Sequence, residues 1–360
     1  MVRQFTMIIF FLCQLSFVCG QIAKGTVKDE QTGEALPFAN VFIDNTTMGT
    51  TTNVDGKFSF SVPAGFALMV ISYVGYQTQS FNINPVVTET LEFNISLKSE
   101  KKELKEVQIE STRDKQWEKN FRSFEKEFLG TTPNGKKSKI LNPWVVNFVE
   151  NDRHVLIATA TEPIEIENKG LGYHVLFYMM RFEAGDQLYL LGRTRFTELE
   201  TEDEKQRSTW MKHRTEAYLG AEQHLFRAMI EGKVFQEGFE LFVEKKEHKQ
   251  IMRTGRFSQE LKDNLMPFSF NMMKGVSDIY KIRLPGRIEV HYVKDDLHPF
   301  YKDVPDRVFW IEPLQTVIEV NRKGVIRDPT SILESGYLRS LRIADMLPFD
   351  FEPPPPSKEE

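Results

Sequence analysis

Apolar and polar positions alternate in short runs along residues 22–98, broken by turn residues and without a helical period. Ile22–Lys28 reads as a first strand, Asp29–Gly33 as a turn of backbone-permissive residues, and Ala39–Ile43 and Thr50–Thr52 as the next two strands. After the tight turn Asn53–Gly56, Phe58, Phe60 and Val62 share one face of a strand. Ala67–Val74 is nearly all apolar, as a strand buried on both faces should be. Gln77–Ile83 follows. In Leu91–Leu97 the odd positions are apolar and Glu92, Asn94 and Ser96 are polar. About seven short strands at this spacing predict a β-sandwich.

The rest of the chain changes period. Trp117, Phe121, Phe124 and Phe128 fall on one face of a helix that Gly130 stops. A mainly β section begins at Asn142-Pro143, with strands at 145–149, 155–161, 163–167, 174–181 and 188–196. Val175, Phe177 and Met179 alternate with Leu176, Tyr178 and Met180, so both faces of that strand are apolar and a sheet covered on both sides is expected. Asp203–Gly232 reads as one long helix with Trp210, Ala217, Tyr218, Ala221, Leu225, Ala228 and Met229 along a face and Gly232 as its C-cap. Further strands are expected at 239–245, 286–293, 308–310 and 316–320, and Ile343–Leu347 leads into Pro348. Residues 1–20 read as a cleaved signal peptide, with Arg3 ahead of the apolar run Phe5–Leu12 and small residues before the cut. That run is shorter than the roughly 20 apolar residues a membrane span needs. Cys19 opens a lipoprotein alternative, but Phe17 and Val18 are bulky for a lipobox. Residues 99–116 form a charged linker and 351–360 a proline-rich tail, so the expected plan is 1–20, 21–98, 99–116, 117–350 and 351–360.

The sandwich carries a family signature. Gly25-Thr26-Val27, Thr32–Val41, Gly49–Phe58 and Ile71–Tyr76 resemble the carboxypeptidase regulatory-like domain. The resemblance implies a transthyretin-like sandwich, a non-catalytic accessory module common at the N-terminus of exported and outer-membrane proteins of the Bacteroidetes. The fold class expected is therefore mixed: an N-terminal all-β transthyretin-like sandwich, then an α+β domain. Residues 104–109 look like the run that leads into a receptor plug and barrel in that group. Only about 250 residues remain, too few for a 22-stranded barrel. Residues 166–173 and the helix bearing Trp210, His213, Arg214, Tyr218, Gly220 and His224 resemble partner regions of unassigned function.

Composition narrows the chemistry. With 41% hydrophobic and 27% charged residues the chain is an ordinary globular one, and its net charge of −5 offers no basic field for nucleic acid. Both cysteines, Cys13 and Cys19, lie in the leader, so the mature chain lacks a thiol nucleophile and disulfides. Asn53-x-Asp55-Gly56 resembles a cation loop but lacks a distal acid, which leaves turn chemistry. Asn45-Thr46-Thr47 and Asn94-Ile95-Ser96 match a glycosylation sequon, a short pattern that recurs by chance. His213-x-x-Glu216 with His291 and His298 raises a zinc carboxypeptidase, against which stands its place inside a long helix. On that helix His213 and His224 would be about three turns apart, too far to share a metal. Phosphate-loop, dinucleotide and nucleophile-elbow motifs are absent. The pairs Glu200/Glu202 and Asp295/Asp296 read as solvated loops.

No catalytic, cofactor-binding or metal-ligating residue is assigned. The candidate binding surface is Trp210, His213, Arg214, Tyr218 and His224, an arginine among aromatics suited to a carboxylate or sugar; the plainer reading is an arginine packed at the core's edge. The loop 167–173, with two glycines, is expected to approach this helix. The functional expectation is a non-enzymatic exported binding or assembly module, in the periplasm or at the outer membrane, whose partner is an envelope protein or a glycan or peptide ligand. The alternatives are an envelope hydrolase with its site in 117–350 and an accessory protein of a TonB-linked outer-membrane receptor engaging through 104–109.

Overall fold

The computed structural model describes residues 21–62, 67–83, 90–100, 114–151, 153–244, 265–267, 270–275, 279–294 and 307–355. The expected leader, both cysteines, the 104–109 strand, Asp295/Asp296 and His298 lie outside the described residues.

Seven strands build the first unit: β1 (Gln21–Asp29), β2 (Asn40–Ile43), β3 (Gly49–Thr51), β4 (Lys57–Val62), β5 (Ala67–Ser72), β6 (Gln79–Ile83) and β7 (Leu91–Leu97). They form two sheets, β4-β1-β7 and β3-β2-β5-β6, with β1 antiparallel to β4 and parallel to β7. Val27, Val41, Phe58, Met69, Ile71, Ile95 and Leu97 fill the space between them. The alternation in β7 holds, with Ile95 and Leu97 inside and Glu92, Asn94 and Ser96 outside. Asn53 closes its own turn, its Oδ1 accepting from the N–H groups of Asp55 (3.0 Å) and Lys57 (2.8 Å).

The second unit starts with α1 (Lys115–Leu129), capped by Asp114, and the short α2 (Pro133–Lys136). Strands β8 (Ser138–Ile140), β9 (Val146–Glu150), β10 (Leu156–Ala160), β11 (Ile164–Asn168), β12 (Tyr173–Ala184) and β13 (Leu188–Glu198) make one antiparallel sheet. The aromatic stripe of α1 packs on it: Phe124 meets Phe182 edge-on at 4.8 Å and Phe128 meets Phe177 at 5.0 Å.

The third unit has its own core. Helices α3 (Glu204–Tyr218) and α4 (Glu222–Glu231) precede β14 (Phe239–Glu244), β15 (Leu265–Pro267), β16 (Asn271–Lys274), β17 (Ile279–Arg283), β18 (Ile288–Tyr292), β19 (Val308–Pro313), β20 (Ile318–Asn321) and β21 (Ile332–Gly336). The sheets β15-β14-β18-β19-β21 and β16-β17-β20 enclose Leu225, Phe226 and Met229 of α4 with Ile288, Val290, Phe309 and Ile318. Residues 117–350 thus hold two hydrophobic cores. The chain then turns back: Ile343 and Ala344 join the second unit's core, and Asp345 accepts hydrogen bonds from Thr132 (2.8 Å) and Asn134 (3.2 Å).

One expectation is corrected. The helix foreseen over 203–232 is two helices, broken at 219–221. Leu219 is extended and Gly220 sits at φ +74, where a side chain would meet the Tyr292 ring. The apolar stripe runs on across the break, so periodicity did not reveal it.

The sandwich is joined to the second unit through the β2–β3 turn. Asn45 N–H donates to the Thr194 carbonyl (2.8 Å) and Phe196 N–H to that of Thr46 (3.0 Å), which adds the turn to the edge of β13. Asp44 accepts from Thr194 N–H (3.0 Å) and pairs with Arg193 (3.3 Å). Thr47 bonds Asp350, and Phe349 N–H donates to the Asn45 carbonyl (2.7 Å). Beside these bonds Phe42 stacks on Tyr178 at 5.1 Å, with Val70 alongside. This is why β5 is buried on both faces: Met69 and Ile71 enter the sandwich core and Val70 the seam. The outer face of β12 is covered at Leu176 and Tyr178 only, and Met180 is 66% exposed. The sequon at Asn45 lies inside this seam, with Thr46 buried.

Phe42→Ala removes the ring that fills the seam and should cost about 3–5 kcal/mol. All four tryptophans lie outside the sandwich. The denaturation midpoint read by tryptophan fluorescence should therefore fall as well; an unchanged midpoint would show that the seam does not couple the units.

Candidate functional site

Four consecutive carbonyls, those of residues 169–172, face α3 and each accepts a hydrogen bond from one of its side chains. Trp210 Nε1–H donates to Lys169 O (2.9 Å) and His213 Nδ1–H to Gly170 O (2.8 Å). Arg214 donates from Nε to Leu171 O (2.7 Å) and from Nη2 to Gly172 O (2.9 Å). Positions 210, 213 and 214 project from one helical face, so the donors step along the loop as the helix turns. Arg214 is 4% exposed; its third nitrogen pairs with Glu198 at 3.1 Å and its guanidinium lies 4.0 Å over the Tyr173 ring. Burying that charge is tolerable because every face of the fork has a partner.

Gly172 is required by this approach, and Gly170 by the packing of α2 on the loop's other side. A Cβ on Gly172, at φ +71, would fall 2.3 Å from the Trp210 ring, and one on Gly170 would fall 2.8 Å from Asn134 Oδ1. From below, buried Asn168 holds the loop, accepting from Leu171 N–H (2.9 Å) and donating to the Ala344 carbonyl (2.8 Å). The expected approach of this loop to the helix is present, with the side chains turned inward. Trp210, Arg214 and Tyr218 are buried and His213 is half-buried.

The break at Gly220 puts His224 in the third unit. Its Nδ1 accepts from Gly220 N–H (3.0 Å), so Nε2 carries the proton toward Glu237 (3.3 Å). Rings of Tyr218, Phe239 and Tyr292 surround it. Burial pushes its pKa down, with Glu237 in partial opposition. His213, Glu216 and His291 do not meet, and no group of three or more metal-ligating side chains occurs among the described residues.

Three polar arrangements are seen only in the structure, although His291 by itself stands out in the sequence. On β18, Glu289 and His291 are i, i+2 neighbours, so strand alternation aims both to one face. They lie 2.6 Å apart at 1% exposure each, Trp310 Nε1–H donates to the same carboxylate (3.0 Å), and His291 Nδ1 lacks a partner. Next, Glu222 at the start of α4 meets Glu334 of β21. Burial raises both pKa values, and like charge adds to the rise at Glu222. Last, a cavity of about 510 Å³ is lined by Ile230, Glu231, Lys233, Lys274, Tyr280 and Arg322. The Glu289–His291 pair is closed to a substrate, Glu222 and Glu334 are half-buried, and the cavity is open and charged.

Comparison with known proteins adds the family of the first unit. Residues 23–109 match the CarboxypepD_reg-like domain, so the N-terminal sandwich is one, and the match runs across part of the expected linker. Over 86 residues the chain is 41% identical to the TonB-dependent receptor SusC of Bacteroides thetaiotaomicron and 28% identical to TonB-dependent receptor P3 of Formosa agariphila. Each alignment covers 24% of this chain, which spans 8% of the relative's length. Solved structures with partial likeness include a DUF3823 family protein from Bacteroides ovatus, at 13% identity and a TM-score of 0.18 over 51% of this chain and 82% of that one. A cohesin–X-dockerin complex from Acetivibrio cellulolyticus matches 22% of this chain and 58% of its own at 23% identity and a TM-score of 0.19. Those TM-scores are too low to establish a fold shared across the chain.

Arg214→Ala leaves the loop carbonyls and Glu198 without their cation and should cost about 3–5 kcal/mol in urea denaturation. Arg214→Lys keeps the charge without the fork and should recover little of that loss. The Glu222–Glu334 pair sets a pH response. Its folded pKa values lie above the usual 4.5, so the native state holds protons the unfolded chain releases. The contribution is whole below 4.5 and declines as pH rises toward the folded values. Glu334→Gln, neutral throughout, should raise Tm at pH 7.5 and leave it unchanged at pH 4.

Proposed function

We propose that this chain is a non-enzymatic binding or assembly module of the bacterial cell envelope, with the CarboxypepD_reg-like sandwich as the base on which the two later units are mounted. The observation that carries this reading is the fate of the polar side chains on α3. Trp210, His213 and Arg214 direct their donors into the loop at 169–172, which makes α3 a structural strut. Similarity of the first unit to TonB-dependent receptors supports an envelope setting, as does the leader pattern at 1–20. The finer version assigns the chain to the service of a TonB-linked receptor, engaged through residues 104–109. It is favoured by the family match, which extends through that stretch.

Fractionation of the native host tests the reading. The full chain should be recovered with the envelope, and a variant lacking residues 1–20 should stay in the cytosol; cytosolic recovery of the full chain would overturn the assignment. A pull-down from envelope fractions, with and without residues 99–116, separates the finer version. Loss of partners on deletion assigns contact to that stretch, and unchanged partners assign it to a domain surface.

A further inference from the structure

We infer that the open cavity of the third unit binds a small organic anion, with its acidic head against Arg322, Lys233 and Lys274 and its body against Tyr280 and Ile230. The volume, about 510 Å³, falls within the size range of small-molecule sites. Three of the six described lining residues are cationic, in a chain whose net charge is −5. The one acid among the described lining residues, Glu231, is already bound to Lys233 (2.8 Å) and to Arg227 behind it (3.1 Å). The lysine hydrogen bond holds its pKa down, so Glu231 stays ionised and offsets one cation only. Among the described residues Arg227, Lys233 and Arg322 outnumber that one acid at the cavity.

Arg322 makes no hydrogen bond or ion pair among the described residues. Its backbone is fixed none the less. Asn321 Oδ1 accepts from the N–H groups of Lys323 (2.9 Å) and Val325 (3.1 Å), and Gly324 N–H donates to Asn321 O (3.0 Å). Gly324, at φ +83, lies so close under α4 that a Cβ would be 2.2 Å from the Gln223 carbonyl. A guanidinium on a rigid turn, without an internal partner and open to a cavity, is a ready carboxylate or sulfate receptor. Across the β16–β17 pair Lys274 stands opposite Tyr280, its ammonium 6.0 Å from the ring centre. That places a flat apolar surface beside the charges, as a ring-bearing acid requires.

The same head-group chemistry is offered by a sugar acid and by a free inorganic anion, and calorimetry on the full chain distinguishes them. Galacturonate, neutral galactose and sulfate are titrated at low ionic strength. Saturable galacturonate binding, weaker sulfate binding and no galactose binding are expected, with at least a tenfold loss in Arg322→Gln. Equal affinity for sulfate supports the anion site and identifies the free anion as occupant. Binding of no anion, equal binding of galactose, or unchanged affinity in Arg322→Gln would overturn the inference. The site gives the binding module a ligand class and rests on that reading only in asking for no chemistry. Calorimetry is blind to cell location, so its failure and that of the envelope assignment are separate results.

Discussion

The loop at 169–172 is the constraint on which the rest of the molecule depends. Its four carbonyls need donors, because buried peptide oxygens without partners are costly. Helix α3 gives each of them a donor, with Leu199 N–H a second at Gly172 O (2.9 Å), and the supply fixes where α3 lies. The position of α3 fixes the break at Gly220, and the break sends α4 into the core of the third unit. One cation, Arg214, thus links β12 and β13, through Tyr173 and Glu198, to a helix that begins a different core.

The three cores are bound to one another by chain crossing as much as by contact. The β2–β3 turn of the sandwich receives β13 on one side and residues 349–350 on the other. Residues 343–345, coming after every strand of the third unit, return to α1 and α2. The sandwich is thereby built into its neighbours, and burial of Val70 and Phe42 is the apolar counterpart of that polar stitching.

Much of this was legible in the sequence, for reasons that differ by element. The strands of the sandwich and the α1 stripe followed from periodicity, since one face of each is buried and the other wet. The uninterrupted run in β5 was read as burial on both faces, but which body covers the second face is a tertiary fact that the run does not contain. The arginine and aromatics of α3 stood out as residues of unusual company, and their proximity to the two-glycine loop was expected. Whether they turned outward or inward depended on carbonyl positions that no side-chain pattern encodes. Glu222 with Glu334 and Lys274 with Arg322 were invisible because each pair is brought together across long sequence separations by sheet order.

The return of residues 343–350 has a consequence in time. During synthesis the sandwich strands and α1 emerge long before the segment that seals them to each other. Asp345, Phe349 and Asp350 reach Thr132, Asn45 and Thr47 only after the whole third unit has been made. Contacts so far apart in sequence form slowly and late. The β2–β3 turn therefore goes without its partners Phe349 and Asp350 for the interval in which some 150 further residues are added. Until then the seam is held from one side only, by the edge of β13 and the Phe42–Tyr178 stack.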